Sequence, residues 1–474
     1  MSLPDGRRHI AIIGGGCTGV ITALNLLKTL PATRAMVTII EPRAVLGAGL
    51  AYSSLDGTHR VNVPAEGMTV LEEEPGAFLA WLRETGRLAD DPAIQDEEGH
   101  HYPRRALFGA YLDQLVRRVA AEPGRAVFRH VQAAVLAVSR AGTGYDITAS
   151  NGALLHADLV VLAVSHPPPA IPAPFGALAG APGFFANPWD GVLGARIGRH
   201  DRVLLIGTAL TAMDVVASLS AHGHEGEIIA ISRRGLVSRG WCRRTDEKLG
   251  DFGSAPNQTA LGLLRQVKAA LRHAKTVGLG PEAVLLSLRT QNQQIWAGLT
   301  PGERLRFLRH LRAFWDAHRY RTAPQVGNVA ARRRAEGSFT PLAARALAAG
   351  MQHGRLYITL QPRGGQAPRD ELFDAVVNCT GPDHRNVTVT NPALAGLAAQ
   401  GLIRADDYGL GLETDEAANA LNAQGGKVVD LFVAGPLARG RFGEITGLSQ
   451  VMRHAAFVAG QVAALCEEQL AGAA

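Results

Sequence analysis

Cysteine is scarce in this chain, four residues in 474. Cys17, Cys242, Cys379 and Cys466 lie far apart and form neither a C-x-x-C pair nor any other metal-ligand spacing. That pattern excludes a disulfide-stapled scaffold and a zinc ribbon, and suits a reducing cytoplasm. Lysine is nearly as scarce: five of the 48 basic residues are Lys and the rest are Arg. No block of like charge reaches five or six residues, the densest being Arg332-Arg333-Arg334, so the sequence shows no charged tail for coating nucleic acid. Long apolar runs are also missing. Stretches such as Leu159 to Val164 are strand-sized, well short of a membrane span. The polar residues Met1 to His9 run directly into Ile10-Ala11-Ile12-Ile13, which leaves no space for a signal peptide. The expectation is a soluble cytoplasmic protein with neither nucleic acid nor membrane as partner; its oligomeric state is not legible.

Catalytic constellations of the common kinds are absent too. No Ser/His/Asp or Cys/His set stands out, and His100-His101 and His222-x-His224 lack carboxylate or cysteine partners at metal spacing. No metal site is expected. Aromatic residues are few, at 5%, but 47% of residues are hydrophobic and 19% charged, ordinary values for a chain that buries a large core. The length fits two or three domains. Glycine, at 54 residues, is in excess, and its placement carries the first functional signal.

Two segments share one grammar: a short apolar run, a turn of small residues, and a helical stretch rich in Ala and Leu. The first is Ile10–Ile13, Gly14-Gly15-Gly16-Cys17-Thr18-Gly19 and Val20–Leu30; the second is Val203–Ile206, Gly207-Thr208-Ala209-Leu210-Thr211-Ala212 and Met213–Leu219. Each is followed by another apolar strand, Val37–Ile40 or Glu227–Ile231, which completes a βαβ unit and favours parallel sheets. The fold class expected is α/β, two Rossmann-like dinucleotide-binding domains with a helical insert. A proline-rich stretch from Pro167 to Pro182 reads as the crossing between them. The expected boundaries are 1–175 for the first part of one domain, 185–374 for the second domain with its insert at 255–325, and 375–474 for a return to the first. Within the insert, Thr300 as N-cap, Pro301 and Glu303 form a capping box. Phe307, Leu308, Leu311, Phe314 and Trp315 share one side of the following helix, and Arg306, Arg309 and Arg312 form an opposite side expected to face solvent.

Gly14-x-Gly16-x-x-Gly19 ends a strand and opens a helix, and Glu41 follows Gly19 by 22 residues at the end of the next strand. Gly14 allows the tight turn, Gly16 leaves room for a pyrophosphate beside the backbone, and Gly19 lets the helix pack closely. The helix N-terminus attracts phosphate charge, and Glu41 accepts from a ribose hydroxyl. The second turn departs from this pattern, with Ala209 in the slot of the second glycine, where its methyl group crowds a pyrophosphate. Its next strand ends in Ser232-Arg233-Arg234. A guanidinium there pairs with a 2′-phosphate where a carboxylate would repel it, so NADPH is favoured, with NADH possible.

These residues also resemble a family. Ile10–Gly19 with Glu41-Pro42-Arg43, then Leu46–Tyr52 including Gly47 and Gly49, and His59–Ala65 look like the opening of the YdhS-like FAD/NAD(P)-binding proteins, relatives of flavin monooxygenases. The resemblance continues through Ile206–Asp214 with Gly207 and Thr208, Ser232–Gly235, His318-Arg319-Tyr320-Arg321, Asn378-Cys379-Thr380-Gly381-Pro382, and Gly435–Gly440 with Glu444 and Arg453. It implies FAD in the first site, held by Gly14, Gly16, Cys17, Thr18, Gly19, Glu41, Pro42, Arg43, Gly49, Thr380, Gly381, Gly435 and Glu444. It implies NAD(P)H in the second, at Gly207, Thr208, Arg233 and Arg234. Asn62, in Asn62-Val63-Pro64 before Met68, is placed by the resemblance beside the flavin's reactive edge, where an amide donates a hydrogen bond without changing charge. His59 and Arg439 are further cofactor-side candidates. The implied activity is transfer of one oxygen atom from O2 to a small substrate, an amine or a nitrogen heterocycle such as urate. Two alternatives stay open: an NAD(P)H oxidase or reductase without oxygen insertion, and a flavin-holding redox sensor without turnover, for which Ala209 argues.

Overall fold

The computed structural model describes residues 7–241, 245–254 and 259–471, so Cys242 and the first residues of the expected insert lie outside the described residues. Two sheets organise the chain. The first has six strands in the order Asn419–Leu421, Lys427–Val433, Leu159–Leu162, Arg8–Ile13, Ala35–Ile40 and Val127–Val131, parallel except for the first. Its inner strands are apolar without alternation because both faces are covered: Ile10, Ala11, Ile12, Val160 and Val161 are fully buried. One face carries the helices Cys17–Thr29, Arg105–Ala120 and Leu448–Ala471. The other carries a meander of Val135–Ala141, Gly144–Ala149 and Leu154–Ala157, with the helix Pro392–Ala399. Burying each Leu or Ile in these layers contributes about 1.5–3 kcal/mol, enough to hold the glycine turns at the strand ends in one conformation.

The second sheet has seven strands in the order Arg369–Phe373, Arg355–Pro362, Phe339–Gln352, Ile228–Ser232, Val203–Ile206, Ala375–Asn378 and Phe184–Phe185. Both expected βαβ units are present, the second with the helix Leu210–Ala221 between Val203–Ile206 and Ile228–Ser232. One boundary moves. Ala375–Asn378 pairs in parallel with Val203–Ile206, so it completes the second sheet and the return to the first unit begins after it, not at residue 375. A four-residue apolar run fits either sheet equally well, and only the pairing partner decides.

The insert is helical as expected, with Ala260–Thr276, Pro281–Thr290, Asn292–Gly298, Pro301–His310 and Arg312–Arg319. Thr300 caps Pro301–His310 by accepting from the Glu303 N–H, but the Glu303 carboxylate accepts from the Ala260 N–H at 2.8 Å. The capping box is therefore half formed, its acid spent on tying two insert helices together. The two sheet units are pinned by Arg105 donating to Asp214 at 2.9 Å, Ser218 to Asp56 at 2.5 Å, and the Trp241 indole N–H to the Asn62 carbonyl at 3.0 Å. Among the described residues, no helix is long and apolar enough to cross a membrane.

Candidate functional site: two facing cavities

The first glycine turn can be tested atom by atom. Gly14 has φ +101°, and a Cβ there would meet the Ala163 carbonyl oxygen at 2.4 Å; a Cβ on Gly19 would come within 2.0 Å of the Gly14 oxygen. Both glycines are required by the fold itself. Gly16 is different. Its φ of −70° suits any residue, and an added Cβ would meet nothing nearer than the Gly49 Cα at 3.4 Å. What a side chain at Gly16 would fill is the cleft beside it, lined by Cys17, Thr18, Glu41, Gly49, Ala163 and His166 among others.

The helix Cys17–Thr29 starts at that cleft with no side-chain cap and no acid in its first turn, leaving its leading N–H groups for an anion. Glu41 is 4% exposed, with one carboxylate oxygen accepting from the Gly15 N–H at 2.9 Å and the other from the Arg43 guanidinium at 2.9 Å. The second of these oxygens also accepts from the Arg43 backbone N–H at 3.2 Å, so the one bonded to Gly15 is the one that keeps a lone pair for a ribose hydroxyl. Pro42 is exposed beside them. Burial pushes the Cys17 thiol up to about 12, so it packs and does not react. Gly435 has φ +75° and rests on Thr18, and its N–H donates to His454 Nδ1 at 3.0 Å, which brings the return segment onto the phosphate turn. A dinucleotide with its pyrophosphate at Gly16 and a ribose at Glu41 fits these residues.

A larger cavity, about 1190 Å³, opens between the ends of the second sheet's strands, the insert and the return segment. Arg233 and Arg234 line it, and so does Thr380, expected with the FAD: it follows Ala375–Asn378, a strand of the second sheet, and so opens onto this cavity. Arg234 lies over the Phe314 ring with its guanidinium carbon 4.6 Å from the centroid and donates to the His310 carbonyl. Gly207, at φ +120°, backs onto the Cys379 carbonyl, and Thr208 turns inward, its hydroxyl bonded to Ser232 Oγ and the Leu236 carbonyl. Gly381, at φ +83°, has open space where a side chain would stand. Arg309 and Arg312, expected on a solvated side of their helices, line this cavity instead.

The two cavities meet at a histidine pair that sequence reasoning did not single out. His166 lines the first cleft, His384 lines the second cavity, and His166 Nδ1 lies 2.9 Å from His384 Nε2. Arg439 sets the protons: it donates to His384 Nδ1 at 3.2 Å, so His384 carries its hydrogen on Nε2 and gives it to His166 Nδ1. His166 then holds a hydrogen on Nε2, free to donate on the cleft side. Burial lowers His166 to about 4, and burial together with Arg439 pushes His384 lower still, so both rings are neutral at physiological pH. The only sequence signal was His166 standing at the start of the proline run.

Asn62 is half-buried at the junction of the two units, its carbonyl held by Trp241 and its side-chain amide without a hydrogen bond among the described residues. His59 borders a third cavity of about 630 Å³, bonded to Ser54 and edge-on to Trp189; Leu50 lines both this cavity and the first cleft. Glu444, expected at the cofactor, faces the insert. It accepts from the Trp315 indole at 2.9 Å and pairs with Arg319 at 2.6 Å, so the carboxylate fastens the insert to the return segment.

Residues 11–167 match the FAD-NAD(P)-binding family model. That stretch carries the Gly16 cleft and Glu41. No curated protein matches the chain. Among solved structures, the L-lysine 6-monooxygenase from Pseudomonas syringae is similar over 98% of this chain and 99% of its own, with TM-score 0.62 and 19% identity. The reduced ornithine hydroxylase from Pseudomonas aeruginosa gives 0.61 at 16% identity over 97% and 99%. An ornithine N-hydroxylase from Kutzneria sp. 744, solved with reduced FAD, NADP+ and L-ornithine, gives 0.61 at 15% over 98% and 99%. At such identities the likeness establishes the fold.

Proposed function

We propose that the protein is an FAD-dependent, NADPH-using monooxygenase that transfers one oxygen atom to a small nitrogen-containing substrate. The observation that carries this reading is the meeting of the two cavities at His166 and His384. A dinucleotide in the Gly16 cleft and a second ligand in the arginine-lined cavity come together at one junction. The full-length likeness to three N-hydroxylating enzymes supports an amine nitrogen as the atom oxidised. FAD, when bound, supplies hydride acceptance and oxygen activation.

The chain's own residues supply the surroundings. Gly16 and the uncapped helix start take the pyrophosphate, and Glu41 takes a ribose. Arg233 and Arg234 offer planar forks suited to a 2′-phosphate. Asn62 and the neutral His166 Nε2–H are hydrogen-bond donors that add no charge, which suits a site where charge develops during reaction. Burial of His166 keeps it a donor without making it a strong acid.

The test is anaerobic reduction of the purified yellow protein by NADPH and by NADH, followed by O2 with a panel of amines and nitrogen heterocycles. Expected are bleaching of the 450 nm band, faster with NADPH, and an oxygenated product formed in step with NADPH consumed. Stoichiometric H2O2 with every compound would overturn oxygen transfer, and a band NADPH does not bleach would overturn the enzyme reading.

A further inference from the structure

The large cavity is far more basic than its proposed dinucleotide requires. Eight arginines and two aspartates line it. Seven of the arginines fall into two groups. Arg233, Arg234, Arg345 and Arg363 cluster where the strand Ile228–Ser232 ends beside the middle of Phe339–Gln352, the place proposed for the NADPH 2′-phosphate. Arg312 and Arg439 gather at His384, with Arg385 next to it in the chain, beside the junction with the first cleft.

The inner group is short of counter-charge. Arg312 pairs with Asp316 at 3.3 Å. Arg385 is exposed to the cavity and makes no ion pair among the described residues. Arg439 is 8% exposed, and its hydrogen bonds go to neutral acceptors: the Pro436 carbonyl, the Leu410 carbonyl and His384 Nδ1. The carboxylate of Asp406 is taken up by the backbone N–H groups of Tyr408 and Leu410, and that of Asp383 by Asn386. A buried guanidinium without a carboxylate in contact costs the fold several kcal/mol unless a ligand supplies the anion. A cationic amine such as lysine would enter against this field, whereas a multiply charged anion would be drawn in.

We propose that the substrate of this site is a small amine or nitrogen heterocycle bearing two or more anionic groups, carboxylate or phosphate, held at the inner end by Arg385 and Arg312 with Arg439 behind them. This rests on the monooxygenase reading for the identity of the reacting atom, but the anion site itself does not depend on turnover. Guanidinium forks grip carboxylate and phosphate oxygens in pairs, which positions the nitrogen as well as attracting the molecule.

Calorimetric titration of the oxidised holoprotein with saturating NADP+, so that the outer arginines are occupied, separates the two ends. The probes are succinate, inorganic phosphate and L-lysine, at constant ionic strength. Binding of succinate or phosphate at least about tenfold tighter than lysine supports the proposal, the better of the two naming the anion class. Arg385→Gln should weaken that binding about ten- to a hundredfold, and Arg385→Lys should restore part of it. Lysine binding equal to or tighter than both anions, anion binding abolished by NADP+, or an Arg385→Gln titration identical to wild type would each overturn the proposal. Anaerobic reduction by NADPH is run on the same wild-type preparation. Its failure with intact anion binding refutes the enzyme reading alone, and its success without anion binding refutes the anion site alone.

Discussion

Replacing Gly16 and Gly19 by alanine separates what the ligand needs from what the fold needs. At Gly19 the new Cβ would sit 2.0 Å from the Gly14 carbonyl oxygen, a backbone atom that cannot move without opening the turn. The cost is about 3 kcal/mol or more, at the upper end of single substitutions. At Gly16 the backbone already has φ −70°, and the nearest atom to the new Cβ is the Gly49 Cα at 3.4 Å. Reduced freedom of the unfolded chain offsets that mild contact, and apoprotein stability should stay within about 1 kcal/mol of wild type. The methyl group would instead occupy the space proposed for the pyrophosphate, where crowding of about 1–3 kcal/mol weakens FAD about ten- to a hundredfold. Fluorescence titration of each apoprotein with FAD and thermal melts without FAD measure the two effects independently. Equal loss of apo stability in both variants, or an unchanged FAD dissociation constant in Gly16→Ala, would refute the assignment of the cleft.

Three further outcomes are expected. Burial lowers His454 from 6.5 to about 4, so between those values the unfolded chain binds the proton that the folded chain refuses. Stability therefore rises with pH in that window, is fully present above about 6.5, and falls by up to about 3 kcal/mol toward pH 4; a His454→Gln variant should show a flatter acid limb in urea melts. Arg234→Ala should raise the KM for NADPH about tenfold or more and leave that for NADH nearly unchanged, since only the former carries a 2′-phosphate. Glu444→Gln breaks a pair whose side chains are 13% and 12% exposed, and should destabilise the protein by about 3 kcal/mol while leaving FAD stoichiometry intact, as read by melting and the 450 nm absorbance.

The parts of the molecule that could be read in advance are those whose geometry is local. A glycine that must adopt φ +101°, or must lie against the next carbonyl, announces itself by residue type and spacing, so both strand–turn–helix units and the Glu41 strand end were legible. The large cavity was not. Arg309 and Arg312 look like a solvated helix face until the insert folds over the second sheet, and Arg385 and Arg439 come from the return segment, distant in sequence. His166 and His384 are 218 positions apart, and no periodicity connects them. Glu444 matched a pattern near Gly435, yet Trp315 and Arg319, far earlier in the chain, determine where its carboxylate goes.

The pins between the two sheet units bear on how ligands enter. Arg105 to Asp214, Ser218 to Asp56 and Trp241 to Asn62 cross the same seam, two of them involving carboxylates largely out of water. Opening that seam would break all three together and leave Arg105 and Asp214 without their partners, a cost that favours the closed seam. A molecule that reaches the histidine junction through the large cavity passes eight arginines on the way, and their field favours anions.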